Sequence, residues 1–190
     1  RLIGKKRYLV FYLLSGIFAA LFYAGLSFLF GGSELGAKIV GSPQEFALGA
    51  SGAIFGLLGL LALLTPRNRV YLIAGPLIAL IIGSLITYII SSSEILSLVN
   101  LLVTFYFIFS IFAIFSFNPN LRRFALPLEM PFWLLPVIAI VPLVIIGLFV
   151  PLPIGNSAHF GGLLIGLIYA LYLKNKYPRK TARIRRHFGG

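Results

Sequence analysis

Two polar residues in a strongly apolar sequence have side chains that could act together in catalysis. Ser51 lies in the string Gly49-Ala50-Ser51-Gly52, where small neighbours would let a substrate reach the hydroxyl. His159 is the one ionisable side chain, tyrosines aside, within the long apolar segments. Ionisable groups are costly in such surroundings and mark candidate functional sites. A serine and a histidine suffice for nucleophilic acyl transfer, because the histidine takes the serine proton and later returns it to the leaving group.

The glycines around Ser51 also have a purely structural interpretation. Gly-x-Ser-Gly strings are common in membrane helices, where small residues allow close packing. Gly52, Gly56 and Gly59 recur at i, i+4 and i+7, so they lie on one smooth helical face. Taken alone, this segment is therefore compatible with helix packing as well as with chemistry.

His159 lies on a similar face. Gly162 and Gly166 follow it at i+3 and i+7, so the histidine shares a stripe with two glycines. A histidine hydrogen-bonded at a helix end is the structural alternative. Two glycine-lined faces bring helix axes unusually close, so we expect the imidazole to reach the Ser51 hydroxyl. Backbone N–H groups of the elbow around the serine, formed with Gly49, Ala50 and Gly52, would then stabilise an oxyanion.

The composition indicates that such a pair would act within a membrane protein. The chain has 190 residues, of which 59% are hydrophobic and 11% charged, against roughly 45–50% and 25% in ordinary domains. Its mean hydropathy is +1.02. A water-soluble globule, a disordered tail and a coiled coil are therefore excluded. With no cysteine and two histidines, a Cys-based or His-rich metal centre is excluded too, and we expect no cofactor. We predict an all-α, polytopic transmembrane helix bundle.

Six apolar segments are candidates for membrane-spanning helices, each of which needs about 20 residues. They are 8–30, 50–64, 70–90, 96–117, 131–150 and 157–173. Short segments with turn residues separate them, including Pro151-Leu152-Pro153 before the last one. The sequence therefore predicts six spans joined by short loops.

The basic residues predict the orientation of these spans. Of the 16 lysines and arginines, 15 fall on alternating loops and on the two flanks: Arg1, Lys5, Lys6, Arg7, Arg67, Arg69, Arg122, Arg123, Lys174, Lys176, Arg179, Lys180, Arg183, Arg185 and Arg186. The positive-inside rule makes that side cytoplasmic. We predict a multi-pass protein with both termini of this chain in the cytoplasm and the Ser51–His159 pair near the outer face. The net charge of +12 is then explained by the membrane topology and not by nucleic-acid binding, although the basic tail could contact anionic lipid.

The segments around both candidate residues resemble motifs of the rhomboid intramembrane serine proteases. The string 49–56, Gly-Ala-Ser-Gly-Ala-Ile-Phe-Gly, is similar to the family's GxSG motif. The string 158–166, which starts Ala-His and carries Gly162 and Gly166, is similar to its AHxxGxxxG motif, and 4–16 resembles the start of its third core helix. The resemblance implies that Ser51 is the nucleophile and His159 the general base.

Three features depart from the family pattern. No counterpart of the first two core helices is present, including the HxxxN-like pattern that completes the family's oxyanion hole, so we expect an N-terminally truncated chain. Three spans, rather than the usual one, separate the serine and histidine helices. We therefore predict one membrane domain with a rhomboid-like core over 1–66 and 124–174, an inserted transmembrane hairpin over 67–123 and a basic cytoplasmic tail over 175–190. Phe55 stands where the family often has a tyrosine, so it can stack on the histidine but lacks the hydroxyl.

The resulting hypothesis is a serine endopeptidase that cleaves transmembrane or membrane-proximal protein substrates with a Ser-His dyad. A dyad is expected because no carboxylate falls within a span. The expected partners are such substrates and the lipid bilayer, with the 31–48 loop as a cap and the last two spans as a substrate gate. One alternative is an inactive rhomboid-like protein that binds membrane clients, against which the presence of both Ser51 and His159 argues. A small transporter is the other, but buried charges that would couple transport to ions are missing.

Overall fold

The computed structural model describes residues 3–46, 49–90, 92–116, 118–148 and 155–188, and most of them are helical. The elements in chain order are α1 (Gly4–Phe30), α2 (Glu34–Val40), α3 (Ser51–Leu64), β1 (Arg69–Ile73), α4 (Ala74–Ile89), α5 (Ser93–Phe115), α6 (Pro119–Arg122), β2 (Pro127–Pro131), α7 (Leu135–Gly147), α8 (Asn156–Lys176) and α9 (Pro178–Phe188). Short 3-10 helices cover Arg123–Ala125 and Phe132–Leu134. The prediction of an all-α bundle is confirmed, with one two-stranded sheet added to it.

The chain divides into two compact units. The first comprises the described residues of Arg1–Arg69, Pro131–Phe149 and Pro153–Gly190, and the second is centred on Val70–Met130. The second unit therefore contains most of the hairpin predicted over 67–123. That this hairpin is an insertion into a rhomboid-like core over 1–66 and 124–174 stays a prediction.

In the first unit, α1, α3 and α8 pack against one another. The buried side of α1 repeats every four residues, which keeps its members on one face of the helix: Phe11, Ser15, Ala19, Tyr23 and Ser27. On α3, the buried residues are mostly glycine and alanine near its start and include leucine towards its end. Small residues allow helix backbones to approach closely, and such packing holds helices together where lipid supplies no hydrophobic driving force.

A larger apolar cluster lies where α3 and α8 end. Its buried members come from three helices: Phe11, Leu60, Leu64, Ala170 and Leu173. The rings of Phe11 and Tyr169 stack there with centroids 4.5 Å apart. This cluster joins the start of α1 to the ends of the other two helices.

The segment after α1, predicted as a loop, contains the short helix α2. Ser33 caps it by accepting a hydrogen bond from the Gly36 N–H at 3.1 Å. Lys38 donates to Glu34 at 2.7 Å, and this contact holds the pKa of the exposed Glu34 carboxyl below its usual value. The end of α2 is tied to α1, because the Ser27 hydroxyl donates to the Val40 carbonyl at 3.1 Å.

The second unit corrects the predicted boundaries of the third span. Residues Arg69–Ile73, at the start of the predicted 70–90 span, form β1, and only Ala74–Ile89 is helical. Valine, tyrosine and isoleucine favour strands, and here they pair with β2. Helices α4 and α5 pack as a hairpin, and the Tyr106 hydroxyl donates to the Phe124 carbonyl at 2.6 Å.

Within the described residues, three helices are long and apolar enough to cross a membrane: Gly4–Phe30, Ser93–Phe115 and Asn156–Lys176. The other three predicted spans correspond to shorter apolar helices, Ser51–Leu64, Ala74–Ile89 and Phe132–Gly147. The turn predicted at 151–153 and the predicted span ends at 117 and 150 lie outside the described residues. The six-span topology and its orientation stay predictions.

The cluster at the ends of α3 and α8 gives a stability test. Leu173→Ala should lower the free energy of unfolding by roughly 2–4 kcal/mol, because it leaves a cavity at a side chain that is 1% exposed. Leu171→Ala is the matched control, since Leu171 on the same helix is 50% exposed and should cost much less. Unfolding in mixed detergent micelles measures both, and equal losses would contradict this packing.

Candidate active site

Ser51 is the first residue of α3, and the turn before it depends on glycine. Gly49 has φ +128°, a backbone conformation that residues with a Cβ rarely adopt. The Ala50 carbonyl accepts the Ile54 N–H at 3.1 Å and so closes the first helical turn. Ser51 is half-buried, while Gly49 and Ala50 are exposed. The serine hydroxyl thus lies at a helix start with an open side.

His159 lies in the first turn of α8, where its N–H is bonded to the Gly155 carbonyl at 3.2 Å. The side chain is buried, with 8% of its surface exposed. Its Nε2 is 2.9 Å from the Ser51 Oγ, within hydrogen-bond reach. The structure therefore brings together the two residues that the sequence singles out, from positions 108 residues apart.

The Phe55 ring packs against the face of the His159 imidazole. Phe55 is four residues after Ser51, on the same face of α3. Its ring stacks on that of His159 with centroids 4.3 Å apart and an interplanar angle of 18°. The His159 Nδ1 is buried and has no hydrogen-bond partner among the described residues. Among the described residues, the His159 imidazole is therefore positioned by packing against an aromatic ring and not by a hydrogen bond to a carboxylate.

Glycines on both helices make the short Ser51–His159 distance possible. A Cβ added to Gly162 would overlap the Gly52 carbonyl oxygen, and one added to Gly166 would overlap the Gly56 carbonyl oxygen. The backbones of α3 and α8 thus touch directly at two successive turns. The four glycines lie within seven residues of Ser51 or His159, so they set the separation of the two side chains.

Helix α1 also packs against Gly52 and Gly56, a contribution that the sequence reasoning missed. A Cβ on Gly52 would lie 2.6 Å from the Ala19 Cβ, and one on Gly56 would lie 2.6 Å from the Ser15 Cβ. The Ser15 hydroxyl lies 2.9 Å from the Tyr12 carbonyl and 3.3 Å from the Ala53 carbonyl, both acceptors. The repeat of small residues every four positions along α1 would have indicated this packing face.

Ser157 is a second residue that the sequence reasoning missed. It lies two residues before His159, and its hydroxyl donates to the Val40 carbonyl at 2.7 Å. The end of α2 is therefore held by α8 as well as by Ser27 of α1. Ser157 and Val40 are 117 positions apart in the sequence, so no local pattern indicated this contact.

The described residues hold no group of three or more His, Cys, Asp or Glu side chains placed to bind a metal ion. Glu45, six residues before Ser51, has an exposed side chain, and its carbonyl accepts from the Tyr23 hydroxyl at 3.4 Å. The polar groups that meet at the start of α3 are therefore a hydroxyl, an imidazole and backbone amides. Such a set suits acyl transfer.

A comparison with family models gives one match. The model described as Rhomboid domain matches residues 1–106, more than half of the chain. The chain belongs to the rhomboid family. The match includes the Ser51 motif and ends within α5, before His159. No curated protein and no solved structure matches the chain. Together with the three long apolar helices, family membership makes this chain a membrane protein.

The glycine contact predicts a large effect from one methyl group. Gly162→Ala should push α8 away from α3 and lower the free energy of unfolding by about 1–3 kcal/mol, the usual cost of overpacking. Gly25→Ala is the control, because a Cβ at that exposed α1 position meets no atom within 4 Å. It should leave stability equal or slightly higher, since alanine favours helix. Equal stability of the two variants in mixed micelles would rule out backbone contact at Gly162.

Proposed function

We propose that this rhomboid-family chain is an intramembrane serine endopeptidase that cleaves transmembrane or membrane-proximal proteins with a Ser51–His159 dyad. The observation that carries the proposal is the 2.9 Å distance between the Ser51 Oγ and the His159 Nε2. A serine nucleophile and its base need to lie within this range for direct proton transfer. The stacked Phe55 ring and the glycine contacts support it, because they fix the orientation of both groups.

The chemistry follows from the geometry in two half-reactions. The His159 Nε2 accepts the Ser51 proton as the Oγ attacks the scissile carbonyl carbon, and a tetrahedral oxyanion forms. When that intermediate collapses, the C–N bond breaks, the leaving amine takes the proton from Nε2, and the acyl group stays on Ser51 as an ester. Water then attacks the ester with Nε2 again as base, and the proton returns to the Ser51 oxygen.

The start of α3 supplies donors for the oxyanion. The first N–H groups of a helix have no acceptor within the helix and carry its positive dipole end. The N–H groups of Ser51 and Gly52 belong to this first turn, and Gly49 leaves the approach to them free of a side chain. Donors fixed in this way stabilise the negative charge as it develops, without reorganisation.

The length of α3 suggests where in the bilayer the reaction takes place. Its 14 residues extend roughly 21 Å at 1.5 Å per residue, less than the hydrocarbon thickness of about 30 Å. If the basic residues after Leu64 mark the cytoplasmic surface, Ser51 lies below the outer surface. A substrate helix must unwind there, because its carbonyls are engaged in internal hydrogen bonds. Segment 31–46, held to α1 and α8 at Val40, would cover one side of the site as a cap.

The dyad predicts two inactive variants. Ser51→Ala and His159→Ala should each lower the cleavage rate of a model transmembrane substrate at least about 10³-fold, as loss of such residues does in serine proteases. Ser51→Ala should also abolish labelling by a fluorophosphonate probe. Reconstituted protein, assayed by fragment appearance on gels, gives the rates.

Ser97→Ala and His187→Ala serve as controls for these variants, since both residues are exposed and neither belongs to α3 or α8. They should cleave and label like wild type. Unchanged cleavage by Ser51→Ala would overturn the proposal. A wild-type chain that binds a transmembrane client but is neither labelled by the probe nor active would favour the inactive rhomboid-like alternative.

Phe55 is expected to position His159 rather than react. Phe55→Ala should lower kcat by about 10–100-fold, because an imidazole displaced by a fraction of an ångström loses its alignment with the Oγ. KM should stay nearly constant, and Phe55→Tyr should retain most activity because the ring is kept. Steady-state kinetics separate the two parameters. A change confined to KM would instead assign Phe55 to substrate binding.

A further inference from the structure

A groove in the first unit is formed by α9 and the ends of α3 and α8, at the opposite ends of those two helices from the dyad. We call it the tail groove. It is lined by Leu64, Lys174, Pro178, Thr181, Ala182 and Arg185, and its volume is about 170 Å³. One water molecule needs roughly 10–15 Å³ of such volume. The tail groove therefore has room for a group the size of a phosphate together with its neighbouring atoms.

The tail groove forms beside the break between helices α8 and α9. Helix α8 ends at Lys176, Tyr177 follows as its C-cap, and α9 begins at Pro178, a residue favoured in the first turn of a helix. Thr181 is buried against the body of the unit, and Pro178, Ala182 and Arg185 share its face of α9 at helical spacing. The wall that α9 forms is thus one face of a regular helix.

The lining combines an apolar floor with a cationic rim. Leu64 is buried with 4% of its surface exposed, and Pro178 and Ala182 add further apolar surface. Lys174 and Arg185 supply two positive charges from different helices. No acidic residue follows Glu129 in the sequence. An anion with an apolar part is the chemical complement of this surface.

The position of the tail groove matches the depth of lipid head groups. Helix α8 is long and apolar enough to cross a membrane, and its lysines Lys174 and Lys176 lie in its last turn. Lysine and arginine at the end of a span mark the membrane surface, where phosphates of anionic lipids attract them. A groove beside that turn opens where phosphate and glycerol groups lie.

We propose that the tail groove binds an anionic phospholipid. Lys174 and Arg185 hold the phosphate, and Leu64, Pro178 and Ala182 contact the glycerol and the first methylenes of an acyl chain. The bound lipid joins α9 to the ends of α3 and α8, so it should stabilise the fold. This site is independent of the dyad and of proteolysis.

The test measures lipid binding to the full chain in a neutral detergent. Dioleoyl phosphatidylglycerol should raise the melting temperature and remain bound in native mass spectrometry, whereas dioleoyl phosphatidylcholine should do neither. The double variant Lys174→Gln/Arg185→Gln should bind phosphatidylglycerol at least about tenfold more weakly, because it loses charge-assisted hydrogen bonds. Ala182→Phe fills the groove without changing charge and should weaken binding too.

The matched control is Arg179→Gln/Arg186→Gln, which removes the same charge from α9 residues outside the groove lining. It should bind phosphatidylglycerol like wild type. Equal weakening in both double variants would show general charge attraction and overturn the proposal. Equal stabilisation by inorganic phosphate would assign the groove to a free anion and overturn it as well. If the groove variants do not fold, equal binding of the two lipids by wild type decides against it.

Discussion

The direct contact between the backbones of α3 and α8 is the constraint on which the candidate site depends. Gly162 lies against the Gly52 carbonyl, and Gly166 lies against the Gly56 carbonyl, with no side chain between them. Ser51 precedes Gly52 by one residue, and His159 precedes Gly162 by three. The distance between the Oγ and the Nε2 is therefore set by the closest approach that two helices can make. In lipid, such close packing is also what holds helices together.

Helix α1 stabilises this contact between α3 and α8. Ala19 and Ser15 of α1 fill the space beside Gly52 and Gly56, so these glycines are enclosed by two neighbours. A larger side chain at either α1 position would move α3, and with it the serine. The site thus depends on three helices whose small residues contact one another, although only α3 and α8 contribute reacting groups.

The sequence was sufficient to predict the residues that meet, because helical spacing of glycines is a local pattern and the two motifs are specific. It also predicted the helical class and the Phe55 stacking partner. It did not predict β1, since a short apolar run of valine, tyrosine and isoleucine fits a strand or a helix equally until its partner is known. That partner, Pro127–Pro131, lies over 50 residues away. The Ser157–Val40 contact is likewise a long-range bond, which no local pattern encodes.

Along both α3 and α8, the buried glycines near the helix start are followed by buried leucine towards the helix end. Along α3 the contacts change from Gly52 and Gly56 to Leu60 and Leu64, and α8 changes from Gly162 to Leu173 in the same direction. Small residues let the helix starts approach closely, and the larger ones pack together in the apolar cluster at the helix ends. The Phe11 and Tyr169 rings stack at that end of the unit. Leu64, at the last turn of α3, lines the tail groove. The same two helices thus bring Ser51 and His159 together at their starts and line the tail groove near their ends.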